Sequence, residues 1–190
     1  MKTKKLLGIA IFVVALFFSQ DFNAQSKMEK TKMVGGAEMY PSKNIVENAV
    51  NSKDHTTLVA AVKAADLVEV LAGKGPFTVF APTNAAFDNL PKGTVETLLK
   101  PENKEKLQTV LKYHVVSGKW NANDIAELIK KGNGKAKIET VSGGTLTAWA
   151  KGKDVYVTDE NGNSAKVTIA DVNQSNGVIH VIDKVLLPKG

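Results

Sequence analysis

The spacing of hydrophobic residues changes along the chain, from a helical period in the first half to strict alternation towards the end. From Lys135 onward, apolar and polar residues alternate, as in 155–158 and 165–169, which predicts β-strands. Helices followed by strands predict an α+β fold, with helices packed on one side of a mostly antiparallel sheet. The predicted helices are 45–50, 56–72, 84–90, 94–99, 102–113 and a segment capped by Asn123.

Two nearly continuous apolar segments predict buried strands. Residues 77–81 are rich in β-formers and are followed by Pro82. Residues 178–187 are almost wholly apolar, which predicts a strand in the centre of the sheet. Between the alternating segments, Asn161-Gly162 predicts a two-residue hairpin turn.

The N-terminal residues 1–24 have the pattern of an export signal. Lys2, Lys4 and Lys5 precede an apolar run over 6–18, and these 13 residues fall short of the roughly 20 that a membrane-spanning helix needs. Cleavage is expected after Ala24, and an uncleaved membrane anchor is the alternative. Residues 25–41 mix charges with glycines and predict a flexible leader, so that the folded domain is expected over 42–190.

Composition excludes several classes of function. The chain has no cysteine, so an exported domain of this size must be stable without disulfides. All 25 basic residues are Lys and the net charge is +6. Without the forked guanidinium of Arg, nucleic acid is not an expected partner. With only three histidines and none of the close His-Glu spacings of a metal site, no metal or other cofactor is expected.

Few residues qualify as chemical sites. His114 and His180 lie in apolar runs, which favours core histidines bonded to the backbone. Tyr113 either anchors a partner or seals the core at the end of a helix. The 159–163 segment resembles a calcium loop, but its glycine is misplaced, which favours a plain turn. No glycine-flanked nucleophilic serine and no phosphate-binding glycine loop is present, so no enzyme activity is predicted.

Two segments in order carry a family resemblance. TVFAPTNAAF at 78–87 and NGVIHVIDKVLLP at 176–188 resemble the two signature boxes of the fasciclin domain family. Between them, YHVV at 113–116 resembles the tyrosine-histidine motif of the family, and 55–62 resembles its opening helix. The resemblance covers 42–190, and it makes Thr83, Asn84, Phe87 and His180 structural motif residues.

The resemblance implies a wedge-shaped fold and a secreted or periplasmic adhesion module without enzyme activity. It implies cell-surface or matrix proteins or glycans as partners, with contacts near Tyr113 and His114. A stretch linked to integrin contact in animal members aligns with 169–172, where only Asp171 and Val172 match. A lone domain can crosslink cells only by self-associating or by attaching to something else, so self-association is one of the two expectations. The alternative is a carrier of a small ligand, which requires a concave apolar pocket, whereas adhesion predicts a shallow exposed patch.

Overall fold

The computed structural model describes residues 30–189. The predicted export signal and residues 25–29 of the predicted leader lie outside the described residues. The α-helices are α1 (Ile45–Ala49), α2 (Thr56–Ala64), α3 (Val68–Ala72), α4 (Asn84–Asp88), α5 (Thr94–Leu98), α6 (Lys104–Tyr113) and α7 (Ala122–Lys131). The strands are β1 (Lys32–Val34), β2 (Ala37–Met39), β3 (Phe77–Pro82), β4 (Val115–Ser117), β5 (Lys135–Glu139), β6 (Thr145–Lys151), β7 (Asp154–Thr158), β8 (Ser164–Gln174) and β9 (Gly177–Ile182).

Seven of these strands form one sheet in the order β4-β3-β9-β8-β7-β6-β5. Every neighbouring pair is antiparallel except β3 and β9, which run parallel in the register Phe77↔Gly177 to Pro82↔Ile182. Strands β1 and β2 form a separate hairpin. The predicted α+β class with a mostly antiparallel sheet is therefore confirmed.

Strand β9 is buried along its whole length, because the sheet has a core on each face. Side chains of a strand alternate between faces, so Ile179 and Val181 enter the first core and Ile182 enters the second. The strand is central, as its apolar run predicts, but it ends at Ile182 rather than at residue 187.

The first core lies between the sheet, the β1–β2 hairpin and the helices α1, α2, α3 and α6. The second core lies inside the curl of the sheet and is covered by α7, which contributes Ile125 and Ile129. Helices therefore pack on both faces of the sheet, and the prediction that they pack on one side is wrong. Phe80 and Tyr113 are the largest fully buried side chains and both belong to the second core.

The β1–β2 hairpin is a difference from the predicted flexible leader. Val34 and Met39 are buried in the first core, and the amide of Lys53 donates to the carbonyl of Gly35 at 3.0 Å. Gly35 has φ +58, and a Cβ there would lie 2.3 Å from the hydroxyl oxygen of Ser52. The sequence pattern did not indicate this hairpin, because its two core side chains, Val34 and Met39, stand among charged residues and glycines.

Several local boundaries also differ from the prediction. The predicted helix over 56–72 is two helices, because Asp66 adopts φ +53 between α2 and α3. Helix α7 is capped by Asn121 rather than Asn123, with Asp124 completing a capping box. The hairpin at Asn161-Gly162 has a loop of five residues, 159–163, since Thr158 pairs with Ser164.

Candidate functional site

Tyr113 ends α6 and is completely buried. Its hydroxyl donates to the carbonyl of Thr145 at 2.9 Å and accepts the amide of Glu160 at 3.1 Å. A Cβ at Gly144 would lie 2.6 Å from the ring, so the ring covers that glycine closely. Burial raises the pKa of Tyr113 to about 12. The side chain joins α6 to the β5–β6 and β7–β8 turns.

His114 makes a second link from the end of α6, through both ring nitrogens. Nδ1 donates to the carbonyl of Val110 at 2.8 Å, and Nε2 accepts the amide of Leu186 at 3.0 Å. This pattern requires the neutral Nδ1–H tautomer. Burial lowers the pKa of His114 to about 4, so the ring is neutral near pH 7. His114 therefore fastens the C-terminal segment to α6.

The tyrosine-histidine pair offers no contact surface to a partner. Tyr113 is 0% exposed and His114 is 3% exposed. Direct partner contact by these two side chains, as the resemblance implied, does not fit this burial. Of the two roles considered for Tyr113, sealing the core is the one that its position fits.

The 159–163 turn contacts the same C-terminal segment. The carboxylate of Asp159 accepts the amides of Asn161 at 3.0 Å, Asn163 at 2.8 Å and Leu187 at 3.1 Å. Backbone donors thus occupy the oxygens that a calcium ion would need. The alternating oxygens of the sequence are explained by a turn that closes around the buried carboxylate of Asp159.

Asp171 and Val172 lie on β8, where its pairing with β9 shifts register. Val172 is 1% exposed and belongs to the first core, whereas Tyr113 belongs to the second. Asp171 has φ +56, and its carboxylate accepts the amide of Ala122 at the start of α7 at 2.7 Å. The structure therefore does not bring the two predicted pairs into one site, and Val172 offers no surface.

His180 lies on β9, opposite the register shift of β8. Its Nε2 donates to the carbonyl of Trp120 at 2.8 Å, and its ring stacks on Phe80 with centroids 5.7 Å apart. Burial lowers the pKa of His180 from 6.5. The ring connects β9 to the segment that leads into α7.

The first signature box supplies further links. Thr83 caps α4 by accepting the amide of Ala86 at 3.3 Å. Asn84 accepts the amide of Thr57 at 3.0 Å and donates to the carbonyl of Lys53 at 2.9 Å. Phe87 is half-buried on the same helix. The polar box residues thus bond the backbone rather than forming a reactive group.

Three of the concave surfaces formed by the described residues bear on function. An apolar cleft between α1, α2 and α3 encloses about 50 Å³. A concavity of mixed polar and apolar lining, about 590 Å³, lies beside Lys74 and Lys119. The third, of about 580 Å³, opens between β4 and β5, and we call it the edge gap; it is lined by Val116, Ser117, Trp120, Leu128, Lys137, Ile138, Glu139, Thr140 and Val141.

Within residues 30–189, no three acidic or histidine side chains lie close enough to hold a metal ion together. No helix in that same range has the length and apolar character to cross a bilayer.

Comparison with known proteins gives the family. The model of the fasciclin domain matches residues 53–188, which is most of the chain. The class that the fold defines is an α+β domain with buried, backbone-bonded motif residues. The chain belongs to the fasciclin family.

The relatives include a protein that the match covers for most of its length and a larger protein of which it covers a small part. The chain is 50% identical to Protein sll1483 of Synechocystis sp. over 84% of this chain and 82% of that protein. It is 36% identical to human periostin over 71% of this chain and 15% of periostin. A solved fasciclin domain pair from the insect cell adhesion molecule fasciclin I matches with TM-score 0.48 and 27% identity, over 67% of this chain and 40% of that one.

Proposed function

We propose that this protein is a secreted or periplasmic interaction module that binds a cell-surface or extracellular-matrix protein or glycan. Membership of the fasciclin family carries the proposal, because adhesion is the function that the sequence resemblance implies for this family. Export of the chain by residues 1–24 is part of the proposal.

Binding takes place on exposed surfaces rather than at the motif residues. Tyr113, His114 and Val172 are buried, and Asp171 is engaged by Ala122, so they act by fixing the shape of the domain. Because fold alone does not define a partner, the binding surface has to be found by experiment.

A small-ligand carrier is the second candidate, because the cleft between α1, α2 and α3 is almost purely apolar. Its volume of about 50 Å³ is far below the roughly 300–1,000 Å³ of usual ligand pockets. A carrier function requires α2 or α3 to move outward. Native mass spectrometry of the purified protein tests this, since a carrier retains a bound small molecule.

The experiment for adhesion uses the chain 25–190, labelled and added to its producing cells and to their isolated extracellular matrix. Saturable binding supports the proposal. Absence of saturable binding to both overturns it, and a retained small molecule then favours the carrier.

A further inference from the structure

The two outermost strands of the seven-stranded sheet, β4 and β5, face each other across the edge gap. They stand at opposite ends of the strand order. Nevertheless, the amide of Val141, just after β5, donates to the carbonyl of Val115 in β4 at 2.8 Å. The sheet therefore curls until its edges meet at one hydrogen bond, and beyond that bond the edges separate.

The backbone of β5 directs free groups into the gap. The amide of Thr140 donates to Gly144 at 2.9 Å on the β6 side, and the next amide, of Val141, points the other way. Successive residues of a strand direct their backbone groups to opposite sides. Lys137 and Glu139 therefore present their N–H and C=O groups to the gap. Among the described strands, only β6 pairs with β5.

The opposite wall is β4, and Trp120 lies where the two edges separate. The register of the Val115–Val141 bond would pair Ser117 with Glu139 next. The carbonyl of Ser117 instead accepts the indole N–H of Trp120 at 2.9 Å. The indole of Trp120 thus bonds the carbonyl that the pairing would use next, and it lines the gap.

The floor of the gap is apolar, and exposed lysines, which we call the lysine rim, outnumber acidic residues on β5 and the last turn of α7. Trp120 and Leu128 line the floor, and Val141 is 44% exposed beside them. Exposed lysines lie on β5 and in the last turn of α7; of the residues that line the gap, Lys137 is basic and Glu139 is acidic. These lysines are Lys130, Lys131, Lys135 and Lys137.

We propose that the edge gap binds an extended, acidic peptide segment of a partner protein, which adds as a strand to the outer edge of β5. This rests on the proposed function and names the partner chemistry for it. An extended peptide matches the free N–H and C=O groups of an edge strand, and its alternate side chains fit an apolar floor. The lysine rim favours acidic side chains.

The shape of the gap favours a single strand over a second copy of the domain. The free edge of β5 is five residues long, about 17 Å at the usual rise of a strand. It faces β4 across a concave opening, so a single extended segment fits between the walls. The edge of another sheet would bring neighbouring strands that collide with β4.

The test uses a capped eight-residue peptide of alternating Glu and Val as the probe. We expect saturable binding to the purified chain, with slower hydrogen exchange at the amides of Lys137 and Glu139. Lys137→Pro removes the outward N–H without removing a ladder hydrogen bond and should weaken binding at least about tenfold. Lys137→Ala keeps the N–H and loses only an exposed charge, so it should weaken binding by less than about threefold.

Failure to bind, or absence of protection at Lys137 and Glu139, overturns the proposal. Equal affinity of Lys137→Pro and native protein also overturns it, once thermal unfolding shows that the variant is folded. If the variant does not fold, the exchange experiment on the native chain decides. A native dimer that Lys137→Pro converts to monomers would make a second copy the occupant and would contradict the proposal.

The peptide experiment and the cell-binding experiment together distinguish this proposal from the adhesion function. Cell and matrix binding by a native chain that does not bind the peptide leaves adhesion in place and removes the edge-gap site. Peptide binding by a chain that binds neither cells nor matrix leaves the edge-gap site in place and removes the adhesion function.

Discussion

The amide of Leu186 donates to Nε2 of His114 at 3.0 Å, although the two residues lie 72 positions apart in the chain. The other ring nitrogen donates to the carbonyl of Val110. A protonated imidazole would place a second N–H against the N–H of Leu186. The attachment of the C-terminal segment therefore depends on a neutral ring.

This relationship predicts loss of stability in mild acid. Burial lowers the pKa of His114 from 6.5 to about 4 in the folded state. Between these values the unfolded chain binds a proton that the folded chain does not, so stability falls as pH falls. The free energy of unfolding is highest above about pH 6.5 and falls by about 3 kcal/mol towards pH 4 through this histidine. Urea unfolding at pH 7, 6, 5 and 4 measures it.

His114→Gln is the matching variant for this prediction. It should be less stable at pH 7, but it should lose less stability between pH 7 and pH 4 than the native chain. His55 and His180 also have pKa values lowered by burial, so part of the slope remains. An identical pH slope in variant and native protein would exclude His114 as its source.

Tyr113→Phe should destabilise the fold by about 1–3 kcal/mol, because it leaves the carbonyl of Thr145 and the amide of Glu160 without their partner. Tyr156→Phe is the control, since no hydrogen bond of the Tyr156 hydroxyl is found within 30–189 and its ring stacks on Trp149. Urea unfolding should show less than about 0.5 kcal/mol for the control. Equal effects of the two changes would contradict the structural role of Tyr113.

Met39→Ala should destabilise the protein by about 2–4 kcal/mol, because the side chain is 3% exposed in the first core. Met33, in the same hairpin, is 58% exposed, so Met33→Ala should change stability by less than about 0.5 kcal/mol. Thermal unfolding of both variants measures the difference. If Met39→Ala is as stable as native protein, the hairpin is not part of the folded core.

The main elements of the fold could be predicted because their patterns are long and local. The central position of β9 follows from a run of apolar residues that is buried on both faces. The α+β class follows from the change of period near Lys135. The division between α2 and α3 could not be predicted, since it depends on the positive φ of Asp66 inside an otherwise helical pattern.

The candidate site was less predictable, because burial is a property of the whole fold. A tyrosine at a helix end has the same sequence pattern whether it faces solvent or the β5–β6 turn, so the position of Tyr113 needed the structure. The edge gap has no sequence signal either. It depends on the curl of the sheet and on the contact of Trp120 with Ser117. The hairpin left only a short signal in the sequence, Gly35-Gly36 between Val34 and Ala37, among charged and polar residues.

The most direct test of the account is a binding titration of chain 25–190 on its producing cells and extracellular matrix, beside folded Tyr113→Phe protein. We propose that the domain binds through exposed surfaces and that Tyr113 fixes its shape. It predicts saturable binding by the native chain and the same Kd for the variant, at a temperature where both are folded. Absence of native binding, or selective loss of binding by folded Tyr113→Phe, would contradict it.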